Sequence, residues 1–196
     1  MLIDIRRYAN YMLKRVLVNK NRYEPSGFTM VEMVITLAVI AVVAAMAAPA
    51  FTDFFDKNRL KRAAESVYGL IAQAKAEAVV RDEPLIVSMT PGSAWCVGYA
   101  KVACDCSLDL GDSGACVVDI AGTDVLQTIK NTEFVGVTMT ETFGGSTTFN
   151  NVHYTVNNGS IILQSGTWGL NVVVSNRGRV RVCASNATKK MGYNAC

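Results

Sequence analysis

The chain has 196 residues, of which 51% are hydrophobic, and its formal net charge is +3. This length is enough for one long helix and one modest globular domain, and it leaves no room for a second independent domain. Residues 1–27 contain six basic and two acidic side chains, a net charge of +4, so residues 28–196 have a net charge of −1. The net positive charge of the whole chain therefore does not describe residues 28–196. The positive charge of residues 1–27 instead predicts how the chain is oriented in a membrane, because positively charged segments that flank a membrane span stay in the cytoplasm.

An almost unbroken apolar run extends from Met33 to Phe51, and Thr36 is its only polar side chain before Ala48. About 17–25 apolar residues suffice to cross a bilayer as a helix, so the run predicts a transmembrane segment. Glu32 stands at its start. An ionisable group costs about 2.5–3.5 kcal/mol at mid-membrane. This cost indicates that the Glu32 carboxylate pairs with another group and has a function. The alternative is a snorkelling surface acid, because the cost is smaller near the edge of the run.

The motif GFTMVE at residues 27–32 directly precedes this run. It resembles the class III signal of type IV prepilins and type II secretion pseudopilins. The resemblance implies that a prepilin peptidase cleaves between Gly27 and Phe28 and that Phe28 becomes the N-methylated terminus. Glu32 is then the fifth mature residue and takes part in assembly. Pro49 falls at mature position 22, where many pilins have a proline that kinks or melts the helix.

These features divide the chain into four parts. They are a leader at 1–27, a transmembrane helix half at 28–51, an amphipathic helix half at 52–83 and a β-rich globular domain with disulfides at 84–196. The leader is long for this family, and Met12 is an alternative start to Met1. No small-residue cleavage site ends the apolar run, so the segment is not a conventional secretory signal. We expect the globular domain in the periplasm or at the cell exterior.

After Phe51 the apolar residues recur at steps of three and four, as on one face of an amphipathic helix. They are Leu60, Ala64, Val67, Ile71, Ala74 and Ala78. The pattern predicts one helix that continues to about Asp82, where Pro84 stops it.

The remaining sequence is rich in β-forming stretches. Pro91-Gly92-Ser93 separates the first two and predicts a hairpin. Residues 104–122 are rich in Gly, Ser and Asp and predict a loop, and Asn158-Gly159 predicts a tight turn between two strands. The predicted strands are Leu85–Met89, Trp95–Tyr99, Val125–Ile129, Gly136–Thr140, Thr147–Phe149, His153–Val156, Ile161–Gln164, Asn171–Ser175 and Arg179–Cys183.

All six cysteines lie beyond the apolar run, and an even count in an exported domain favours disulfides, with 15 possible pairings. We predict first a bond between Cys183 and Cys196, which would tie the C-terminal tail to a strand. The other four are Cys96, Cys104, Cys106 and Cys116. The last three can pair among themselves or with Cys96. The spacing excludes a zinc site, because no Cys-x2-Cys pair exists and the lone His153 is far away.

Short stretches spread over the mature chain resemble the GspH/FimT/FimU branch of minor pilins. They are residues 74–81, the strand at Trp95, the stretch Val172–Ser175 and the stretch Gly178–Arg181. The resemblance implies an α+β, type IV pilin-like fold. In that fold a long N-terminal helix, transmembrane and then amphipathic, packs on an antiparallel β-sheet domain.

The sequence offers little for catalysis or metal binding. His153 is the only histidine, and no Ser/His/Asp or Cys/His arrangement has a spacing that supports nucleophilic chemistry. The acids Asp105, Asp109, Asp112 and Asp119 do not follow the EF-hand pattern, which favours a solvated loop over a calcium site. We therefore expect neither an enzyme nor a cofactor.

Five basic residues and no acidic one lie between residues 177 and 190. They are Arg177, Arg179, Arg181, Lys189 and Lys190. In a strand, Arg179 and Arg181 would share one face about 6.6–6.8 Å apart, with Val180 and Val182 turned to the core. Two forked donors at that separation can grip successive phosphates of a nucleic-acid backbone.

The neighbours of these arginines favour the same hypothesis. Gly178 lets the backbone turn, and Tyr193 could stack on a base. Some FimT-type proteins are DNA-binding minor pilins of natural transformation with a Gly-Arg-x-Arg motif, which residues 178–181 resemble. The alternative is a solvated edge strand whose charges discourage aggregation between sheets.

The resemblances together imply a minor pilin or pseudopilin that is inserted in the inner membrane, processed, and built with other pilin subunits into a type IV pilus, near its tip. In the filament, Glu32 would neutralise the N-terminal amine of a neighbouring subunit. One alternative is a DNA-binding minor pilin that takes up extracellular DNA. A further alternative is a pseudopilin of type II secretion.

Overall fold

The computed structural model describes residues 27–150, 157–185 and 191–196. They belong to two compact units, one ending at Met46 and the other beginning at Ala47, and each is described by itself. Helix α1, Met30–Arg81, contributes residues to both units.

In the first unit, α1 begins with a capped turn and an apolar surface. Thr29 is the N-cap, because its Oγ1 accepts a hydrogen bond from the backbone N–H of Glu32 at 3.2 Å. Every side chain between Met30 and Met46 is exposed. Among the described residues, no single helix is by itself long and apolar enough to cross a membrane. The parts Met30–Met46 and Phe51–Arg81 meet these criteria of length and composition only as a pair.

In the second unit, α1 has one buried face. All six apolar positions predicted for that face are completely buried, which confirms the amphipathic helix: Leu60, Ala64, Val67, Ile71, Ala74 and Ala78. The helix ends at Arg81, one residue before the predicted end. Asp82 follows with a φ of 55°, and the N–H of Glu83 donates to the carbonyl of Ala78 at 3.2 Å. This is the Schellman cap, which satisfies a carbonyl that the end of a helix leaves without a partner.

Ten strands follow among the described residues, and all the pairings between them are antiparallel. The strands are β1 Leu85–Thr90, β2 Cys96–Ala100, β3 Val117–Ile120, β4 Thr123–Leu126, β5 Thr128–Lys130, β6 Thr138–Glu141, β7 Ser146–Phe149, β8 Gly159–Ser165, β9 Trp168–Val174 and β10 Val180–Ala184, with a 3-10 helix at Asn131–Glu133. They form two four-stranded sheets, β5-β2-β1-β7 and β10-β9-β8-β6, and a β3-β4 ribbon. The predicted α+β fold, a helix on antiparallel sheets, is confirmed.

One hydrophobic cluster joins the buried face of α1 to residues of both large sheets. Trp95 is completely buried in this cluster. Its ring stacks on Phe134 with centroids 6.0 Å apart, and its Nε1–H donates to the carbonyl of Val137 at 2.9 Å. Burial of an indole stabilises the fold fully only when the N–H of the ring has a hydrogen-bond partner.

The structure corrects the prediction for residues 104–130. The expected loop at 104–122 contains β3, and the expected strand Val125–Ile129 is two strands that belong to different sheets. The change of partner occurs at Gln127, whose N–H donates to Cys116 at 2.8 Å and whose carbonyl accepts from Tyr99 at 3.1 Å. The local pattern cannot distinguish one long strand from two short ones that share a direction.

The expected turn at Asn158-Gly159 is also corrected, because Gly159 is the first residue of β8 and lies opposite Val174. Glycine is required here because the backbone of β8 passes close to Phe143: a Cβ at residue 159 would lie 2.6 Å from the Phe143 ring. The predicted strand His153–Val156 lies outside the described residues.

Candidate assembly and anion-binding surfaces

The predicted processing and assembly residues lie at the start of the first unit. Gly27 and Phe28 precede α1, and Phe28 is 78% exposed. The carboxylate of Glu32 is exposed and makes no hydrogen bond or ion pair with any residue that the structure describes. Its position in the first turn is favourable by about 0.3–1 kcal/mol, because the helix dipole is positive there. Pro49 lies within the bounds of α1, and its side chain is outside the described set.

All six cysteines are paired. Cys183 is bonded to Cys196, as the sequence predicted, and the alternatives for the other four resolve as Cys96–Cys106 and Cys104–Cys116. The last two bonds attach the loop after β2 to that strand and to the start of the β3 segment.

The Cys183–Cys196 bond holds a short tail between β10 and α1. The Tyr193 hydroxyl donates to Glu65 Oε1 at 2.6 Å, and Lys61 Nζ lies 5.8 Å from the centre of the Tyr193 ring. Burial and, next, the hydrogen bond to Glu65 raise the pKa of Tyr193 above its usual range. Tyr193 thus anchors the tail to α1, and the predicted role in base stacking has no support from its position.

The acidic loop is held by its own hydrogen bonds. Ser107 donates to Asp105 Oδ1 from its N–H at 2.8 Å and from its hydroxyl at 2.6 Å, and these bonds lower the pKa of Asp105. Lys130 Nζ lies 2.6 Å from Asp109 Oδ1, and Asp112 Oδ2 accepts the N–H of Asp109 at 3.1 Å. The carboxylates of Asp105, Asp109 and Asp112 therefore order the loop, and Asp119 lies in β3.

Three of the five predicted basic residues come together in space. Arg177, Arg179 and Arg181 are exposed and line one open groove of about 450 Å³, which we call the arginine groove. Val180 and Val182 are partly buried against the core, as the strand period predicts. None of the three guanidinium groups has a hydrogen-bond or ion-pair partner among the described residues. Lys189 and Lys190 lie outside the described residues.

The turn between β9 and β10 orients these arginines. Gly178 has a φ of 68°, which favours glycine, and its N–H donates to the carbonyl of Ser175 at 2.8 Å. The Ser175 hydroxyl accepts the N–H of Arg179 at 3.1 Å, and the N–H of Ser175 donates to the carbonyl of Arg179 at 3.0 Å. The sequence reasoning missed Ser175. A serine three residues before a glycine is typical of the first position of a turn, and this pattern would have pointed to Ser175.

Comparison with known proteins gives two family matches. The model of the type II transport protein GspH matches residues 63–187, and that of the prokaryotic N-terminal methylation motif matches residues 25–48. No curated protein was found to match the chain.

Solved structures of a minor pilin and of a minor pseudopilin are similar to this chain. The type IV minor pilin FimU of Pseudomonas aeruginosa is 18% identical, with a TM-score of 0.48 over 70% of this chain and 96% of that chain. The minor pseudopilin EpsH from the type 2 secretion system of Vibrio cholerae is 12% identical, with a TM-score of 0.49 over 65% and 98%. The GspH model covers more than half of the chain, so the chain belongs to the family of the type II transport protein GspH.

Proposed function

We propose that this protein is a subunit of a type IV pilus, placed at or near the tip, where it supports filament assembly. The observation that carries the proposal is the exposed apolar surface of α1 from Met30 to Met46. An apolar surface of this extent needs a partner. Before assembly the partner is the inner membrane, crossed once with the globular domain in the periplasm. After assembly it is the apolar helices of other pilin subunits in the filament core.

The residues at the start of α1 have two roles in this proposal. Prepilin peptidase cleaves between Gly27 and Phe28, and the new terminus at Phe28 is methylated. Glu32 then neutralises the N-terminal amine of a neighbouring subunit. Opposite charges attract strongly in an apolar filament core, whereas an unpaired carboxylate there is costly. The exposed carboxylate of Glu32, without a described partner of its own, supports this role.

The test uses the full-length chain in a host that lacks its own copy, with Glu32→Gln and Glu32→Asp as a matched pair. The glutamine keeps the size of the side chain and removes its charge, and the aspartate keeps the charge. We expect both variants to be cleaved and inserted, and only Glu32→Gln to be depleted from sheared filaments by immunoblot. Normal incorporation of Glu32→Gln would contradict the pairing. Accumulation of uncleaved wild-type chain would contradict the processing site.

A pseudopilin of type II secretion is the alternative form of this role, and the description of the matching family supports it. Deleting the gene distinguishes the two systems. Loss of surface pili with normal protein secretion supports the pilus, and loss of secretion with normal pili supports the secretion system. Immunogold labelling of intact filaments tests the position, since a tip subunit is labelled at filament ends.

The arginine groove favours a second function, which is to capture extracellular DNA for natural transformation. Its three guanidinium groups line one exposed surface and have no partner among the described residues. Each can donate two parallel hydrogen bonds to a phosphate. A subunit at the filament tip would present this groove to the medium.

The test of DNA binding is a salt titration with the processed full chain in detergent micelles. If the three arginines contact phosphates of duplex DNA, log affinity should fall with log salt at a slope of about −2.7. The double variant Arg179→Ala/Arg181→Ala should lose about 1.8 of that slope. Arg62→Ala is the matched control, because Arg62 is an exposed arginine on α1 that does not line the groove. Equal slopes for the wild type and the double variant would refute this function.

A further inference from the structure

In the part of the chain that the structure describes, strand β10 is the last strand of its sheet and pairs with a strand, β9, on one side only. On the other side the tail holds Ala184, whose N–H donates to Asn194 at 2.8 Å and whose carbonyl accepts from Cys196 at 3.1 Å. Backbone groups alternate in direction along an antiparallel strand. The N–H and C=O of Val180 and Val182 therefore point away from β9, and no described residue hydrogen-bonds to them there.

This edge borders an open groove of about 720 Å³ beside α1, which we call the helix groove. The helix wall includes Tyr68, Ala72, Ala76 and Val80, and the strand wall includes Arg179 and Val180. Tyr68 is 39% exposed and Val80 is 84% exposed. Lys75 also lines the helix wall, and the other residues named on this wall are apolar apart from the Tyr68 hydroxyl. This accessible wall lies next to backbone groups of β10 to which no described residue hydrogen-bonds.

The tail of the chain already fills one end of the space between α1 and β10. It bonds to Ala184 on the strand and, through Tyr193, to Glu65 on the helix. Met191 and Gly192, with φ of 50° and 89°, form a turn just before this contact. The helix groove is the other end of the same space, and its strand edge offers the same hydrogen-bonding pattern without an occupant among the described residues.

We propose that the helix groove binds an extended segment of a neighbouring filament subunit, which adds to β10 as a strand and alternates apolar with acidic side chains. The partner class rests on the proposed function. Backbone hydrogen bonds to an exposed edge provide affinity, and alternate side chains provide specificity. With a period of two, one set of side chains meets the apolar wall of α1, and the other set lies beside Arg179 and Arg181.

The charge at the edge determines which partner is accepted. Two copies of β10 placed edge to edge would bring their arginines close together, and like charges on adjacent strands are destabilising. An acidic segment removes that repulsion and forms ion pairs with Arg179 and Arg181. The groove therefore selects an acidic segment of another subunit over a second β10.

The experiment uses the processed full chain in detergent micelles and a fluorescent octapeptide of alternating valine and glutamate, with binding measured by anisotropy. One control peptide has lysine in place of glutamate, and another is N-methylated at every second residue, in both registers. Ala76→Trp fills the groove from an exposed helix position, and Gln73→Trp is its matched control, because Gln73 is exposed on the same helix and does not line the groove. Thermal melts establish that both variants are folded.

We expect the valine–glutamate peptide to bind, and N-methylation in one register and the Ala76→Trp substitution each to weaken it about five-fold or more. Gln73→Trp should bind as the wild type does. Equal binding of the lysine peptide, of both N-methylated peptides or to Ala76→Trp would overturn the proposal. These assays need no filament, so their failure is distinct from that of the proposed function, which the incorporation of Glu32→Gln tests.

Discussion

The hydroxyl of Tyr99 on β2 donates a hydrogen bond to Glu77 Oε1 on α1 at 2.8 Å. Glu77 also forms an ion pair with Arg81 at 3.1 Å, and Arg81 Nη1 donates to the carbonyl of Asp119 at 2.7 Å. These contacts connect the last turns of the helix to β2 and β3. Burial, and next the hydrogen bond to Glu77, raise the pKa of Tyr99 well above its usual value.

Replacing Tyr99 by phenylalanine removes this link, and we expect the free energy of unfolding at pH 7 to fall by about 1–3 kcal/mol, because a half-buried carboxylate loses a donor. The pKa is raised by folding, so the contribution is complete below the unfolded value of about 10 and is lost as pH rises above it. Above that pH, the free energy of unfolding of Tyr99→Phe should therefore decline less steeply than that of the wild type. Urea denaturation at neutral and alkaline pH measures both effects. If the wild type and Tyr99→Phe lost stability equally at alkaline pH, Tyr99 would not be the group that causes the alkaline decline.

Gly98 has no space for a side chain. A Cβ at this position would lie 2.7 Å from Cys116 Sγ and 2.9 Å from the carbonyl oxygen of Gln127. We expect Gly98→Ala to reduce the free energy of unfolding by about 1–3 kcal/mol through overpacking. Gly69→Ala is the opposite case, because Gly69 lies within α1 and has no atom within 4 Å of its Cβ position. We expect this substitution to increase the free energy of unfolding by about 0.5–1 kcal/mol. Denaturation curves that placed both variants on the same side of the wild type would contradict this contrast.

The Cys183–Cys196 disulfide closes a loop with a sequence separation of 13 residues. Replacing both cysteines by serine should reduce the free energy of unfolding by about 2–4 kcal/mol, because the unfolded chain gains freedom and the tail loses its anchor. Tyr193→Phe is the matched control and should cost about 0.5–1.5 kcal/mol, since it removes only the hydrogen bond to Glu65. Chemical denaturation under oxidising conditions measures both. A larger loss from Tyr193→Phe would mean that the phenol, rather than the bond, holds the tail.

Particular residues show how far the sequence could predict the fold. The buried positions of α1 follow from a period of 3.6 residues, which depends only on the helix itself. The pairing of Cys104 with Cys116 depends on how the loop after β2 returns to the sheet, and spacing alone left several pairings open. The sequence predicts a turn at Gly159 because glycine is common in turns, but the structural reason for this glycine is the ring of Phe143, sixteen positions away in the sequence.

The N-terminal motif, the apolar run with Glu32 at its start, the amphipathic face of α1 and most strands can be read from the amino-acid sequence. Each of these features depends on neighbouring residues or on a backbone period. Only the packed fold shows which sheet β4 and β5 each join and that the edge of β10 faces the largely apolar wall of α1. These relationships join residues far apart in the chain, and only the packing of the helix against the sheets brings them into contact.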